Sequence, residues 1–274
     1  NHPKALYYLG EIYYKGKHIT RDINKAIYYF TLSANKNDLD AQFILGLIYY
    51  FGQYTPRDIN KALHYFSLAA NKNHPKALYY LGLLFYYGKR VKQDFKKMIY
   101  YFSLAANQNH PNAQYTIGFL YLNGLYFEKD INKGLSYLLQ SASNSCINAN
   151  FVLGCYCYEG KHFLKDINKS IHYFKEASSF NCMYSKNNLG VIYKNEFNVI
   201  TDYFDEAIKM NDRLAMYNLS IIYIYEGKSN EKINDAIKLL RTLIEQQFNP
   251  AIKLFCIALI KKYRFNLEAI KREL

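Results

Sequence analysis

The stretch Ala41-Gln-Phe-Ile-Leu45-Gly46-Leu-Ile-Tyr49-Tyr-Phe-Gly52 is one copy of a skeleton, Ala-x-x-x-Leu-Gly-x-x-Tyr-x-x-Gly, that this chain uses again and again. One period earlier it reads Ala5, Leu9, Gly10, Tyr13 and Gly16; one period later, Ala77, Leu81, Gly82, Phe85 and Gly88. The period is 36, since Gly10, Gly46, Gly82, Gly118, Gly154 and Gly190 are evenly spaced. A second block recurs between the glycines: Asp22, Asp58, Asp94, Asp130 and Asp166, each followed three residues later by Lys25, Lys61, Lys97, Lys133 and Lys169. A fixed period of this length marks an array in which each unit buries its apolar face on its neighbours.

Within a unit, Ala5, Leu9, Ile12 and Tyr13 share one face of a helix. Gly16 to Arg21 breaks it, and Asp22 supplies an oxygen to cap a second helix running from Ile23 to about Asn35. Asn37, Asn73 and Asn109 follow that helix, where a left-handed residue is wanted. Pro3, Pro75 and Pro111 sit in the first turn of the next helix, where a missing N–H costs nothing. With no strand signal, the expected fold is all-α: a right-handed α-α superhelix of about seven 36-residue helix-turn-helix repeats plus a partial eighth. A glycine inside a helix costs roughly 1 kcal/mol relative to alanine, so something must offset it in every unit. An aromatic of the second helix laid across the gap, such as Tyr29 or Tyr65, is the expected partner. On that reading Tyr65→Ala costs on the order of 3–5 kcal/mol.

The spacing, together with Asp-x-x-Lys-Ala-x-x-Tyr-Phe and small pairs such as Ala69-Ala70, resembles the Sel1-like repeat, a relative of the tetratricopeptide repeat. The match covers residues 1–190. It departs from the family in having Tyr29, Tyr65, Tyr101, Tyr137 and Tyr173 where Trp is usual, and Asn where Gly usually follows the second helix. The resemblance implies a protein-interaction scaffold or adaptor, of the kind found in ubiquitin-ligase complexes for protein quality control and in signalling and host-interaction proteins. After Gly190 the pattern loosens: Tyr203-Phe204 and Ala215 fall into place only if six residues are deleted, with the inter-helix loop as the expected site. Ser220 and Cys256 then take the glycine slot, and Asn266 is read as capping a last helix. The expectation is a single repeat domain over 1–274, regular over 1–190, with degenerate repeats and a cap over 191–274. Because it opens at Asn1, just before a helix of the repeat, the chain reads as a piece of a longer protein.

Half the residues are hydrophobic, including 30 Tyr and 18 Phe, yet no apolar run approaches the ~20 residues of a transmembrane helix. The formal net charge of +13 suits an anionic partner. An AT-rich genome, which enriches Lys, Asn, Ile, Tyr and Phe together, is the favoured account, since the lysines are spread through every repeat. Five cysteines, Cys146, Cys155, Cys157, Cys182 and Cys256, are too few and too uneven for a disulfide framework, which favours a reducing compartment and the cytoplasm.

No catalytic or metal constellation stands out. The seven histidines occupy repeat slots filled elsewhere by other residues: His2, His74 and His110 share a helix N-cap slot with Asp38, and His18 lies in a loop. There is no His-x-x-x-His or Cys-x-x-Cys pair. No enzyme activity, cofactor or metal is expected. Function is expected on the concave face formed by the first helices. Tyr7, Phe43, Tyr79, Tyr115 and Phe151 line it, with Leu47, Leu83 and Phe119 in a second row and Tyr14, Tyr50, Tyr86 and Tyr158 in a third. Tyr combines apolar area with a hydroxyl, so this face suits an extended peptide or a helix of a partner. Ordinary core packing of the same rings is the competing reading; removing Tyr50 and Tyr86 together without loss of melting temperature would favour the groove. Arg21, Arg57, Arg90, Lys129 and Lys165 form a basic rim. The expected partner is a protein or peptide; nucleic acid, bound through the rim with Tyr stacking, is the runner-up. A third reading makes the array the regulatory arm of an enzyme encoded outside it.

Overall fold

The computed structural model describes residues 2–17, 19–88, 91–200, 202–227, 229–263, 270 and 272–273. Among them are fifteen α-helices and no strand. The helices divide into two compact units, residues 1–149 and 150–274. The first holds four antiparallel hairpins: α1 (Pro3–Lys15) with α2 (Ile23–Asn35), α3 (Leu39–Phe51) with α4 (Ile59–Ala70), α5 (Pro75–Tyr87) with α6 (Phe95–Asn107), and α7 (Pro111–Asn123) with α8 (Ile131–Ser143). The second comprises α9 (Ile147–Glu159), α10 (Ile167–Ser179), α11 (Met183–Phe197), α12 (Tyr203–Lys209), α13 (Arg213–Tyr225), α14 (Asn230–Glu245) and α15 (Pro250–Tyr263). This is seven hairpins and the first helix of an eighth, the arrangement the period predicts.

The caps follow the sequence closely. Each Asp of the second block accepts the backbone N–H of its Lys: Lys25 to Asp22 at 2.9 Å, Lys61 to Asp58 at 3.0 Å, Lys97 to Asp94 at 3.0 Å. The Lys side chain then folds over a ring of the preceding helix, Lys25 over Tyr13 and Lys61 over Tyr49 at 5.3 and 5.0 Å from the centroid. That one residue pair both starts the second helix and ties it to the first explains its recurrence. Asn37, Asn73 and Asn109 adopt φ of 63°, 58° and 59°, and Ser145, Asn181, Asn211 and Gln247 are left-handed in the same slot.

The ring over the helical glycine is not the expected tyrosine. A Cβ on Gly46 would stand 2.4 Å from the ring of Phe66, and Phe30, Phe102, Phe174 and Phe204 occupy the same place over their glycines. Tyr29 and Tyr65 lie beside it, stacked on Tyr13 and Tyr49 at 5.6 and 6.0 Å with nearly parallel planes. Neighbouring residues on a helix point about 100° apart, so the interhelical angle chooses between them. The fourth hairpin lacks the Phe. There Gly118 meets Gly134 backbone to backbone, a Cβ on Gly118 would be 2.9 Å from the Gly134 carbonyl oxygen, and Leu122 fills the space at Gly134.

Hairpins stack through the second helix of one and the first helix of the next: α2 on α3, α4 on α5 and α6 on α7 in the first unit; α10 on α11, α12 on α13 and α14 on α15 in the second. First helices also touch directly, α3 with α5, α11 with α13, and α13 with α15, which puts them on the inner side of each stack. Leu45, Leu81 and Ile117 are wholly buried in this way, whereas the equivalent Leu9, at the open end of α1, is 38% exposed. The six missing residues of the sixth repeat correct the expected loop deletion: α12 is six residues shorter than α2, and the hairpin is trimmed in its second helix. Its surviving turns still carry the motif, with Tyr203 stacked on Tyr193 and Phe204 over Gly190. Asn266, expected as a cap, lies outside the described residues.

Histidine caps give the first unit a pH dependence. His74 and His110 accept the N–H of Ala77 and Ala113 through Nδ1, at 3.2 and 3.3 Å. Burial, then the nearby Lys76 and His74, holds His110 down from 6.5 to about 4. Burial likewise lowers His74, partly offset by Asp40. A folded-state value below the unfolded one means that the unfolded chain takes up the proton first as pH falls. The stabilisation from His110 is complete above 6.5 and is lost on descending towards 4. His110→Asn keeps a capping oxygen and does not titrate. Its urea midpoint should therefore fall less between pH 7 and pH 4.5 than that of the parent chain; equal slopes would show that the imidazole is not the sensor.

Candidate functional site

The first helices of the first unit bring most of the expected face together, but not all of it. Phe43 is a correction: only 7% exposed, it lies against Phe66, Tyr80 and His74 and belongs to the core. Tyr7 and Tyr79 are half-buried, Tyr7 against Phe30 and Tyr79 stacked on the His110 ring at 4.6 Å. Burial pushes the Tyr79 phenol up to about 12. Leu47, Leu83 and Tyr115 are half-buried, and Phe119 and Tyr86 are exposed. Tyr14 and Tyr50 are half-buried, with Tyr50 wedged among Phe51, Phe66 and Tyr80. Loss of Tyr50 therefore disturbs packing as well as surface, so the pair Tyr50 and Tyr86 cannot separate groove from core. Phe151 and Tyr158 belong to the second unit, both half-buried, with Phe151 against Phe174.

Between the second and third hairpins lies a cleft of about 280 Å³. Leu83, Leu84 and Ile59 give it apolar walls, Val91 closes one side, and Tyr50, Tyr87 and Arg57 stand around it. Of these, Tyr50, Leu83 and Arg57 carry sequence signals. Tyr87, 56% exposed, and Val91 do not: one occupies the variable position before a helix-ending glycine, the other a loop slot filled by Ile19, Thr55 and Phe127 in the neighbouring repeats.

The basic rim is coupled to the tyrosines. The Arg21 guanidinium lies over Tyr54 and Tyr14, at 4.2 and 5.4 Å from their centroids, and that of Arg57 over Tyr50 at 5.5 Å. Lys165 covers Tyr158 in the second unit. Lys129 is exposed, in the slot of Arg21 and Arg57. Arg90 lies outside the described residues; the slot in its repeat belongs to Gln93, which donates to the Tyr86 carbonyl at 2.7 Å. His18 is also outside the described residues.

Among the described residues no group of three or more His, Cys, Asp or Glu is placed to hold a metal ion, and no helix is long and apolar enough to cross a membrane. All five cysteines are free thiols. Burial pushes Cys155 up to about 11, far from the thiolate that nucleophilic chemistry needs.

Stacked helix hairpins with an aromatic inner face and stacked arginines define an α-helical repeat protein of the solenoid class. The Sel1 repeat model matches residues 3–38, 39–74, 75–110, 111–146, 147–179 and 213–247, and the chain belongs to the Sel1 repeat family. The gap in this match coincides with the trimmed sixth hairpin. No curated protein matches the sequence significantly. Among solved structures, a protective antigen of uropathogenic Escherichia coli strains is similar at a TM-score of 0.81 and 22% identity, covering 99% of this chain and 60% of the antigen. A Sel1 repeat protein from Oxalobacter formigenes is similar at a TM-score of 0.74 and 27% identity, covering 81% of this chain and 66% of that protein. The chain thus aligns with about two thirds or less of either protein's length.

Proposed function

We propose that this chain is a non-catalytic scaffold that holds an extended segment or a helix of a partner protein on the first-helix face of its N-terminal unit. Sel1 repeat proteins generally mediate protein–protein interactions. The observation that carries the reading is the cleft at Tyr50, Leu83 and Tyr87, an apolar recess edged by phenols and a guanidinium. That combination supports orientation by polar edges and affinity by apolar contact. Polyanion binding is less well supported, because Lys25, Lys61 and Lys97 are each engaged by their own Asp and lie over rings.

Selection of a random dodecapeptide display library on the immobilised chain tests the reading. The parent should enrich related sequences in salt-tolerant fashion. The double substitution Tyr86→Ala and Tyr87→Ala, at exposed rings, should lose that enrichment with unfolding free energy unchanged within about 0.5–1 kcal/mol. Enrichment that survives in the variant places binding elsewhere.

A further inference from the structure

Neither Arg21 nor Arg57 has a carboxylate partner among the described residues, although an aspartate follows each directly. Asp22 and Asp58 are turned away: one oxygen of each caps its helix, and the other faces Lys25 or Lys61 at 3.6 or 3.9 Å. The guanidinium of Arg57 is instead laid on the Tyr50 ring, exposed, beside an apolar recess with no acid among its described lining residues. Stacking on a ring restricts a guanidinium without using its N–H donors, so its planar edge stays available for a bidentate acceptor. The exposed Tyr87 lines the same recess as Tyr50 and Arg57. The molecule as a whole carries +13, which adds long-range attraction for an acidic chain.

From this geometry we infer that the cleft receives an acidic, leucine-type peptide segment of a partner protein. An apolar side chain enters between Ile59, Leu83 and Val91 while a neighbouring carboxylate pairs with Arg57. The inference rests on the reading of this face as protein-binding and adds the chemistry of the bound segment. Arg21, in the same slot one repeat earlier and lying over Tyr54 and Tyr14, offers a second carboxylate position along the same strip. Gln93 in the third repeat is neutral, and the slot is cationic again at Lys129 in the fourth.

Three fluorescein-labelled octapeptides titrated by anisotropy against the full chain test this: one alternating Leu and Glu, one alternating Leu and Gln, and one alternating Ala and Glu. The Leu–Glu peptide should bind at least tenfold more tightly than either other. Arg57→Gln should raise its Kd to about that of the Leu–Gln peptide, removing the difference between the two. Leu83→Asp should weaken both leucine peptides at least fivefold, with Tyr87→Ala, at an exposed ring, as the second variant if Leu83→Asp does not fold. Equal affinity for Leu–Glu and Leu–Gln, both lost in Tyr87→Ala, overturns the acidic preference and leaves the protein-binding reading standing. Ala–Glu binding as tight as Leu–Glu and abolished by salt overturns it in favour of diffuse charge. Failure of all three peptides to bind also overturns it, while the display selection reports separately on the face itself.

Discussion

Phe66→Ala lowers the unfolding free energy of the first unit by about 3–5 kcal/mol, the range for deleting a wholly buried aromatic. Its ring is fully enclosed, spread over Gly46 and in contact with Phe43, Tyr50 and Tyr80. Gly46, directly beneath the ring, has no side chain with which to fill the space. Tyr65→Ala, one residue away, costs only about 1–2 kcal/mol, since a half-buried ring stacked on Tyr49 loses one aromatic pair and part of its area. The repeat pattern alone assigns the loss of about 3–5 kcal/mol to Tyr65→Ala. Urea unfolding followed by far-UV circular dichroism reads the two variants side by side. Stability in a stacked array is a sum over repeats and their interfaces, so the comparison uses the first transition to be lost. A larger loss for Tyr65→Ala than for Phe66→Ala would refute the assignment.

Gly46→Ala destabilises, although alanine is the better helix former by roughly 1 kcal/mol. The new methyl would stand 2.4 Å from two carbons of the Phe66 ring, so ring and helix must part. Overpacking of this kind costs about 1–3 kcal/mol and outweighs the propensity gain. Gly118→Ala is worse. Its methyl meets the Gly134 carbonyl oxygen at 2.9 Å and the Leu138 nitrogen at 3.2 Å, and backbone atoms cannot swing aside as a ring can. A loss at the upper end, about 3 kcal/mol, is expected there. The two sites also differ in rescue. Phe66→Leu in the Gly46→Ala background makes room, so the double variant should be more stable than the summed single effects allow. Nothing in α8 can be shortened to relieve Gly118→Ala, because Gly134 is already minimal. Strict additivity at Gly46 and Phe66 would show that the ring does not press on the glycine.

Much of this protein is legible in its residues one at a time. The 36-residue period set the number of hairpins, Asp22 and its equivalents set where second helices begin, and Asn37, Asn73 and Asn109 set where they end. The candidate face was legible in part. Tyr50, Leu83 and Arg57 fell out of helical spacing and loop slot, whereas Phe43 was placed on it and proved to be core. Phe43 and Tyr50 occupy the same helix, and spacing alone does not say how far the next hairpin closes over it.

Local interactions, repeated seven times, thus determined the elements from sequence by themselves: caps, turns and apolar faces each involve residues within a few positions of one another. Tertiary structure decided that Phe66 and not Tyr65 covers Gly46, that the sixth repeat is shortened mainly in α12 and less in its loop, and that Val91 and Tyr87 close a cleft with Tyr50. Each of these depends on the angle and distance at which two helices meet, a balance of many weak contacts that no single residue type encodes.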